Sequence, residues 1–311
     1  MRALVTGGAG FIGSHVVDAL VARGDRVLVL DDLSSGRREN LDAAIAAGAE
    51  LVEASVADQN AIDEVFEDLR PEIVLHLAAQ IDVRVSVADP ILDLNLNVGG
   101  TVRLLEAVRN QGSGRLVFAS TGGAIYGEGE GRELPFDERA ECLPDAPYGQ
   151  SKLAAEGYIG LYRRLHGTDA VALRLGNVYG PRQTGGEAGV VAIFLDALLA
   201  GRRPVVYGDG EQTRDYVYVS DVAEAFLAGL EAPGSGPYNV GTGVETSVLG
   251  LGSLISDTLG VQFEYELAPP RPGEVQRTAS DPVLAERELG WRAAHDLERG
   301  IALTAEWFRA R

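Results

Sequence analysis

The segment Thr6-Gly7-Gly8-Ala9-Gly10-Phe11-Ile12-Gly13 constrains the fold of this 311-residue chain more than any other stretch. It follows a short apolar run, Ala3–Thr6, and opens a stretch of helical length and amphipathic spacing, Gly13–Arg23. Glycines between a strand and a helix let the chain turn tightly and let backbone N–H groups approach a diphosphate. The following helix adds the positive end of its dipole. Two spacings fit: Gly8, Gly10 and Gly13 as G-x-G-x-x-G, and Gly7, Gly10 and Gly13 as G-x-x-G-x-x-G. The alternation then continues. Arg26–Leu30, Glu50–Glu53, Ile73–Leu77, Leu116–Ser120 and Ala170–Leu175 read as further strands. Arg38–Ala47, Gln59–Leu69, Val98–Asn110 and Tyr148–His166 read as the helices among them. Such alternation predicts an α/β chain with a doubly wound parallel sheet that binds ligands at the carboxyl ends of its strands.

Past about Gly180, glycine and proline breakers divide the chain into shorter pieces. We expect a dinucleotide-binding unit over residues 1–178. Residues 179–311 should form mainly a smaller substrate-binding region, interleaved with the first. The acidic stretch Glu128–Glu141 reads as a solvated loop. A formal charge of −19 with no Lys/Arg-rich run argues against nucleic acid or an anionic membrane as partner. The apolar run Gly189–Leu199 is too short to span a bilayer. Met1–Val5 leads straight into the glycine motif, which suggests a cytoplasmic protein without a secretory leader. Cys142 is the only cysteine and the four histidines are scattered, so no metal site is expected.

Asp31 ends the second strand about 20 residues past the glycines, where a carboxylate accepts ribose hydroxyls and repels a 2′-phosphate. NAD is therefore favoured over NADP, with Arg37 and Arg38 close by. Asp58, after the third strand, suits either an adenine contact or a helix N-cap. His76-Leu77-Ala78-Ala79-Gln80 supplies small residues for close passage of backbone beside the cofactor, with His76 itself a packed core residue. Tyr148-Gly149-Gln150-Ser151-Lys152 contains the only lysine among 27 basic residues, one helical turn from a tyrosine. An ammonium there favours the phenolate, and a cationic nicotinamide favours it further. Tyr148 then becomes a base able to take the proton of a sugar hydroxyl while hydride leaves the same carbon.

These segments together resemble the extended short-chain dehydrogenase/reductase family, in particular its UDP-glucose (UDP-galactose) 4-epimerase group. Further segments carry the resemblance: Asp31-Asp32-Leu33, Asn97–Thr101, Ser120–Gly127, Arg174–Arg182, Gly208-Asp209-Gly210, Arg214–Val217 and Arg271–Glu274. The resemblance implies a Rossmann-type fold, a homodimer, and C4 epimerisation of a UDP-sugar through a transient 4-keto sugar. It implies NAD contacts from Gly7, Gly10, Phe11, Ile12, Gly13, Asp31, Asp32, Asp58, Leu77, Ala78, Ala79, Gln80, Asn97, Tyr148 and Lys152. Sugar-nucleotide contacts are implied for Arg84, Thr121, Tyr148, Asn177, Val190, Val205, Tyr207, Arg214, Arg271 and Glu274. Arg84 and Arg182 lie near segments expected to line the sugar site, where either could meet a C6 carboxylate, but pairing with nearby acids is the favoured reading of both. The family places a Ser or Thr at the position of Gly122; Thr121 is the nearest hydroxyl and is expected to replace it beside Tyr148 and Lys152. Related 4,6-dehydratases place an Asp-Glu pair just after that hydroxyl, whereas this chain has Gly122, Gly123 and Ala124. Thr278 is small where some relatives have tyrosine, leaving room for an N-acetyl group. The alternatives are thus a UDP-glucuronate or UDP-N-acetylhexosamine 4-epimerase, an NAD(P)H-dependent 4-ketosugar reductase, and a non-catalytic NAD-binding protein. Trp291 and Trp307 read as packing anchors.

Overall fold

The computed structural model describes residues 1–112, 114–184, 189–232, 234, 236–271 and 275–311. Six expected strands form: β1 (Arg2–Thr6), β2 (Arg26–Asp31), β3 (Glu50–Glu53), β4 (Ile73–His76), β5 (Arg115–Thr121) and β6 (Asp169–Leu175). They lie parallel in the order β6-β5-β4-β1-β2-β3. A seventh strand, Tyr238–Val240, extends the sheet beyond β6. It was not expected, because three residues within a glycine-rich stretch give no readable period.

Side-chain alternation builds two cores, because successive strand residues face opposite sides. Val5, Val29, Leu75 and Val117 meet Val16, Val17, Val222 and Phe226 from the helices Phe11–Ala22 and Val219–Leu230. Leu4, Leu30, Val74 and Phe118 meet Leu104, Leu105 and Ile159 from the helices Gly100–Gln111 and Pro147–His166. A third core joins the helices Val190–Leu199, Val248–Leu259 and Leu297–Ala310 through Phe194, Leu195, Leu251, Ile255 and Ile301. The chain returns to the sheet through Val219–Leu230 and Tyr238–Val240 before completing this smaller region. The sheet order reverses between β1 and β4, so a crevice opens at their carboxyl ends. Trp291 is buried and donates its indole N–H to the Asp221 carbonyl at 2.7 Å, anchoring the C-terminal segment. Among the described residues no helix is long and apolar enough to cross a membrane.

Candidate active site

The crevice is a cleft of about 390 Å³ walled by the ends of β1, β2, β4, β5 and β6. Its floor is the glycine turn. Gly7 has φ +71°, and a Cβ there would come within 2.5 Å of the Ala78 backbone nitrogen. Gly10 caps the first helix, and a Cβ on Gly13 would strike the Gly7 carbonyl oxygen. Gly8 instead faces Val29 and Val17 of the core. Of the two spacings, Gly7, Gly10 and Gly13 are therefore the triplet that shapes the turn. Phe11, Ile12 and Gly13 line the cleft, where the first N–H groups of a helix lack partners within it.

Asp31 accepts the Ala9 N–H at 2.8 Å on one carboxylate oxygen and the Leu33 N–H at 2.9 Å on the other. Each oxygen keeps acceptor capacity toward the cleft, which Asp31 and Asp32 both line. Leu77, Ala78 and Ala79 form the opposite wall. A helix end without side chains in the way, a ribose-type carboxylate and a wall of small residues fit a dinucleotide.

Three expected contacts are not among the residues that line the cleft. Asp58 caps the helix Gln59–Leu69, accepting from the Asn60 and Ala61 N–H groups. Gln80 and Asn97 bond each other, the Gln80 N–H donating to Asn97 Oδ1 at 2.9 Å. Asn97 also donates to Asp93 and to the Ser151 hydroxyl at 3.0 and 3.1 Å. The pair thus ties the loop after β4 to the helix bearing Tyr148. His76 is a core residue, bonded to Thr6 at 2.8 Å and Thr101 at 3.1 Å. Burial and the Lys152 charge push its pKa down to about 3.

Pro147 opens the helix that carries Tyr148 and Lys152 on one face. The Lys152 ammonium is buried and donates to the Ala119 carbonyl at 2.9 Å. It lies 6.0 Å from the centre of the Tyr148 ring. Thr121, at the end of β5, lines the cleft together with Tyr148. Burial pushes Tyr148 up to about 12; the Thr121 hydroxyl opposes this and the Asp93 carboxylate adds to it. Burial brings Lys152 down to about 8, opposed by Asp93 and Glu156. The expected lowering of the phenol by the lysine does not appear: burial dominates, and the ammonium is engaged by the Ala119 carbonyl. A phenolate at neutral pH needs a further positive charge at the site.

The space at Gly122 has a specific occupant. A Cβ there would lie 2.5 Å from Ser280 Oγ, so the second region fills the room a side chain would take. Asn177 lines the cleft, and a Cβ on Gly123 would lie 3.0 Å from its Oδ1. Among the described residues lining the cleft, Asp31 and Asp32 are the only acids, and both sit at its ribose end. Asp93 and Glu156 were missed by sequence reasoning. Glu156 holds Arg174 in a buried ion pair at 2.7 Å and accepts the Ser120 hydroxyl. Its place one turn after Lys152 was the available signal.

Of the remaining sugar-nucleotide candidates, Val190, Val205, Tyr207, Arg214 and Arg271 lie on the smaller region, and Arg84 lies on the helix Val83–Ala88 of the first. Val190 opens the helix Val190–Leu199. Val205 and Tyr207 share the open face of a strand whose Val206 is buried. The Arg271 guanidinium stacks 3.9 Å above the Tyr207 ring. Arg214 lies in the short strand Thr213–Arg214, paired with Thr246–Ser247. Arg84 is exposed and pairs with Asp82 at 2.6 Å, and Arg182 pairs with Asp18 at 2.7 Å. Glu274 lies outside the described residues. Thr278 is buried.

Residues 3–241 match the model of the NAD dependent epimerase/dehydratase family. The chain belongs to that family. Relatives within it are similar over nearly the whole length. A UDP-glucose 4-epimerase of Mycolicibacterium smegmatis is 48% identical, with 99% of each chain covered. The crystal structure of a Thermotoga maritima UDP-glucose 4-epimerase with UDP-glucose superposes with a TM-score of 0.96 at 44% identity, covering 100% of this chain and 99% of that one. A Thermus thermophilus UDP-glucose 4-epimerase in complex with NAD gives a TM-score of 0.92 at 45% identity, with 99% of each chain covered.

Proposed function

We propose that this chain is an NAD-dependent epimerase acting at C4 of a UDP-hexose, with UDP-glucose and UDP-galactose as its substrate pair. One observation carries the choice of reaction. Tyr148, Lys152 and Thr121 meet in the cleft, while its only described acids lie at the ribose end. A tyrosine acid/base without a second acid can take and return a proton but cannot drive elimination of water. When bound, the dinucleotide supplies a hydride acceptor that gives back what it takes, and a positive charge beside the phenol. Tyr148 Oη removes the proton of the C4 hydroxyl and later restores it. Thr121 orients that phenol, and Lys152, fixed by Ala119, supplies a buried positive charge. Arg214 and Arg271 hold the diphosphate through guanidinium forks, and Val190, Val205 and Tyr207 pack the uridine. Whole-length similarity to the M. smegmatis and T. maritima UDP-glucose 4-epimerases supports the hexose.

A panel of UDP-galactose, UDP-glucuronate and UDP-N-acetylglucosamine, with products resolved by chromatography, tests this reading. UDP-galactose should give UDP-glucose with no net absorbance change near ~340 nm. Turnover of one of the other two alone would reassign the sugar, and net consumption of NADH would make the enzyme a reductase.

The homodimer belongs to the same proposal. Val87, Ile91, Leu94, Tyr158 and Leu165 are exposed on the segments before and within the Tyr148 helix region. Apolar side chains of this size, exposed together, suit a face covered by a second copy. Light scattering should give twice the chain mass of 32.9 kDa, and a monomer at micromolar concentration would refute it.

A further inference from the structure

Two acidic side chains stand beside the arginine segments without belonging to the cleft. Glu128 leaves the loop that follows Tyr126-Gly127. Its carboxylate accepts the Gln276 N–H at 2.6 Å, the Arg277 N–H at 3.1 Å and the Glu130 N–H at 2.7 Å. The two backbones are pressed together, since the Gly129 N–H donates to the Arg277 carbonyl at 3.0 Å and a Cβ on Gly129 would strike that same oxygen. Glu245 works from the other side. It receives the Arg277 guanidinium through Nε at 2.9 Å and Nη2 at 2.5 Å, and the Thr213 hydroxyl at 2.5 Å. The Thr213 N–H closes the circuit by donating to the Gln276 carbonyl at 2.8 Å. Thr213 is the neighbour of Arg214, and Gln276–Arg277 follows the segment that starts with Arg271.

We propose that Glu128 and Glu245 are positioning residues for phosphate binding, locking the strand of Arg214 to Gln276–Arg277 and both to the loop that follows Gly127. The inference rests on the reading of Arg214 and Arg271 as the diphosphate grip. Neither carboxylate helps an anion by its charge; a negative group near a diphosphate opposes it. Their contribution is geometric: guanidinium forks grip paired phosphate oxygens only when both arrive at the right spacing and angle. The acidic stretch after Gly127 is thereby a strap between the catalytic loop and the smaller region, in place of the solvated loop expected from its composition.

The sign of the charge effect makes the test sharp. Glu245→Gln and Glu128→Gln each remove a negative charge, which by Coulomb's law alone tightens UDP binding. Positioning predicts the reverse. Each variant should weaken UDP about tenfold, as expected for loss of a charge-assisted hydrogen bond. KM for the UDP-sugar should rise in parallel, with kcat within about twofold at saturation and uridine affinity and NAD content unchanged. Unchanged or tighter UDP binding in both variants overturns the proposal. So does a matched loss of kcat and uridine affinity, which marks a structural role. Arg214→Ala is the control: if it leaves UDP affinity relative to uridine intact, the diphosphate reading fails, and the positioning proposal with it. If Arg214→Ala weakens UDP and the glutamine variants do not, the positioning proposal alone fails. Should either variant not fold, Thr213→Val removes a tie to Glu245 without changing any charge: weaker UDP binding with uridine affinity kept supports positioning, and unchanged binding overturns it.

Discussion

Tyr148 and Lys152 stand one helical turn apart, and burial drives both away from their charged forms. The phenol is pushed up to about 12 and the ammonium down to about 8. The chain alone thus holds a neutral acid where a base is needed, with the Thr121 hydroxyl working toward ionisation and Asp93 against it. An absorbance titration of protein freed of dinucleotide, taken as wild type minus Tyr148→Phe, should show no tyrosinate below about pH 11, since the folded value is about 12. Adding NAD should move the signal down. A tyrosinate signal near neutral pH before NAD is added would contradict the account. Tyr148, Lys152 and Thr121 were legible because they lie within short local patterns. Asp93 was not, because its meaning comes from contacts with Gln80, Asn97 and the Tyr148 helix. Ser280 under Gly122 was invisible for the same reason: the two residues are joined only by the fold.

At the scale of elements, the ends of β1 and β4 set the cleft, and His76 bolts them together. Its ring nitrogens are both engaged, by Thr6 of β1 and by Thr101 of the helix Gly100–Gln111. With a folded pKa of about 3 against 6.5 when unfolded, the unfolded chain binds more protons between those values. Stability contributed by neutral His76 is therefore full above pH 6.5 and is lost as pH falls toward 3, at up to about 1.4 kcal/mol per pH unit. Urea unfolding of wild type and His76→Asn between pH 7 and 4 should show the wild type losing the larger share. Parallel curves would sink this assignment. Strands β1 to β6 were readable because a parallel sheet buried on both faces needs continuous apolar runs. The strand Tyr238–Val240 was not, since so short a run is recognisable only from its pairing with β6.

Across the whole molecule, a chain of charge −19 handles anions by local means. A helix end opens on the cleft, and in the proposed function Arg214 and Arg271 meet the diphosphate, while Glu128 and Glu245 accept hydrogen bonds from Gln276, Arg277 and Thr213. The fold class followed from the alternation of strands and helices. The tie between residues 128 and 276 did not, because neither end carries a periodic signal. In C4 epimerisation within one cleft, the hydride that leaves C4 returns to that carbon. UDP-galactose carrying deuterium at C4 tests it most directly. The account predicts UDP-glucose with the label retained at C4 and none in solvent or in free dinucleotide. Label washed into water, or collected as reduced dinucleotide in proportion to product, would contradict it.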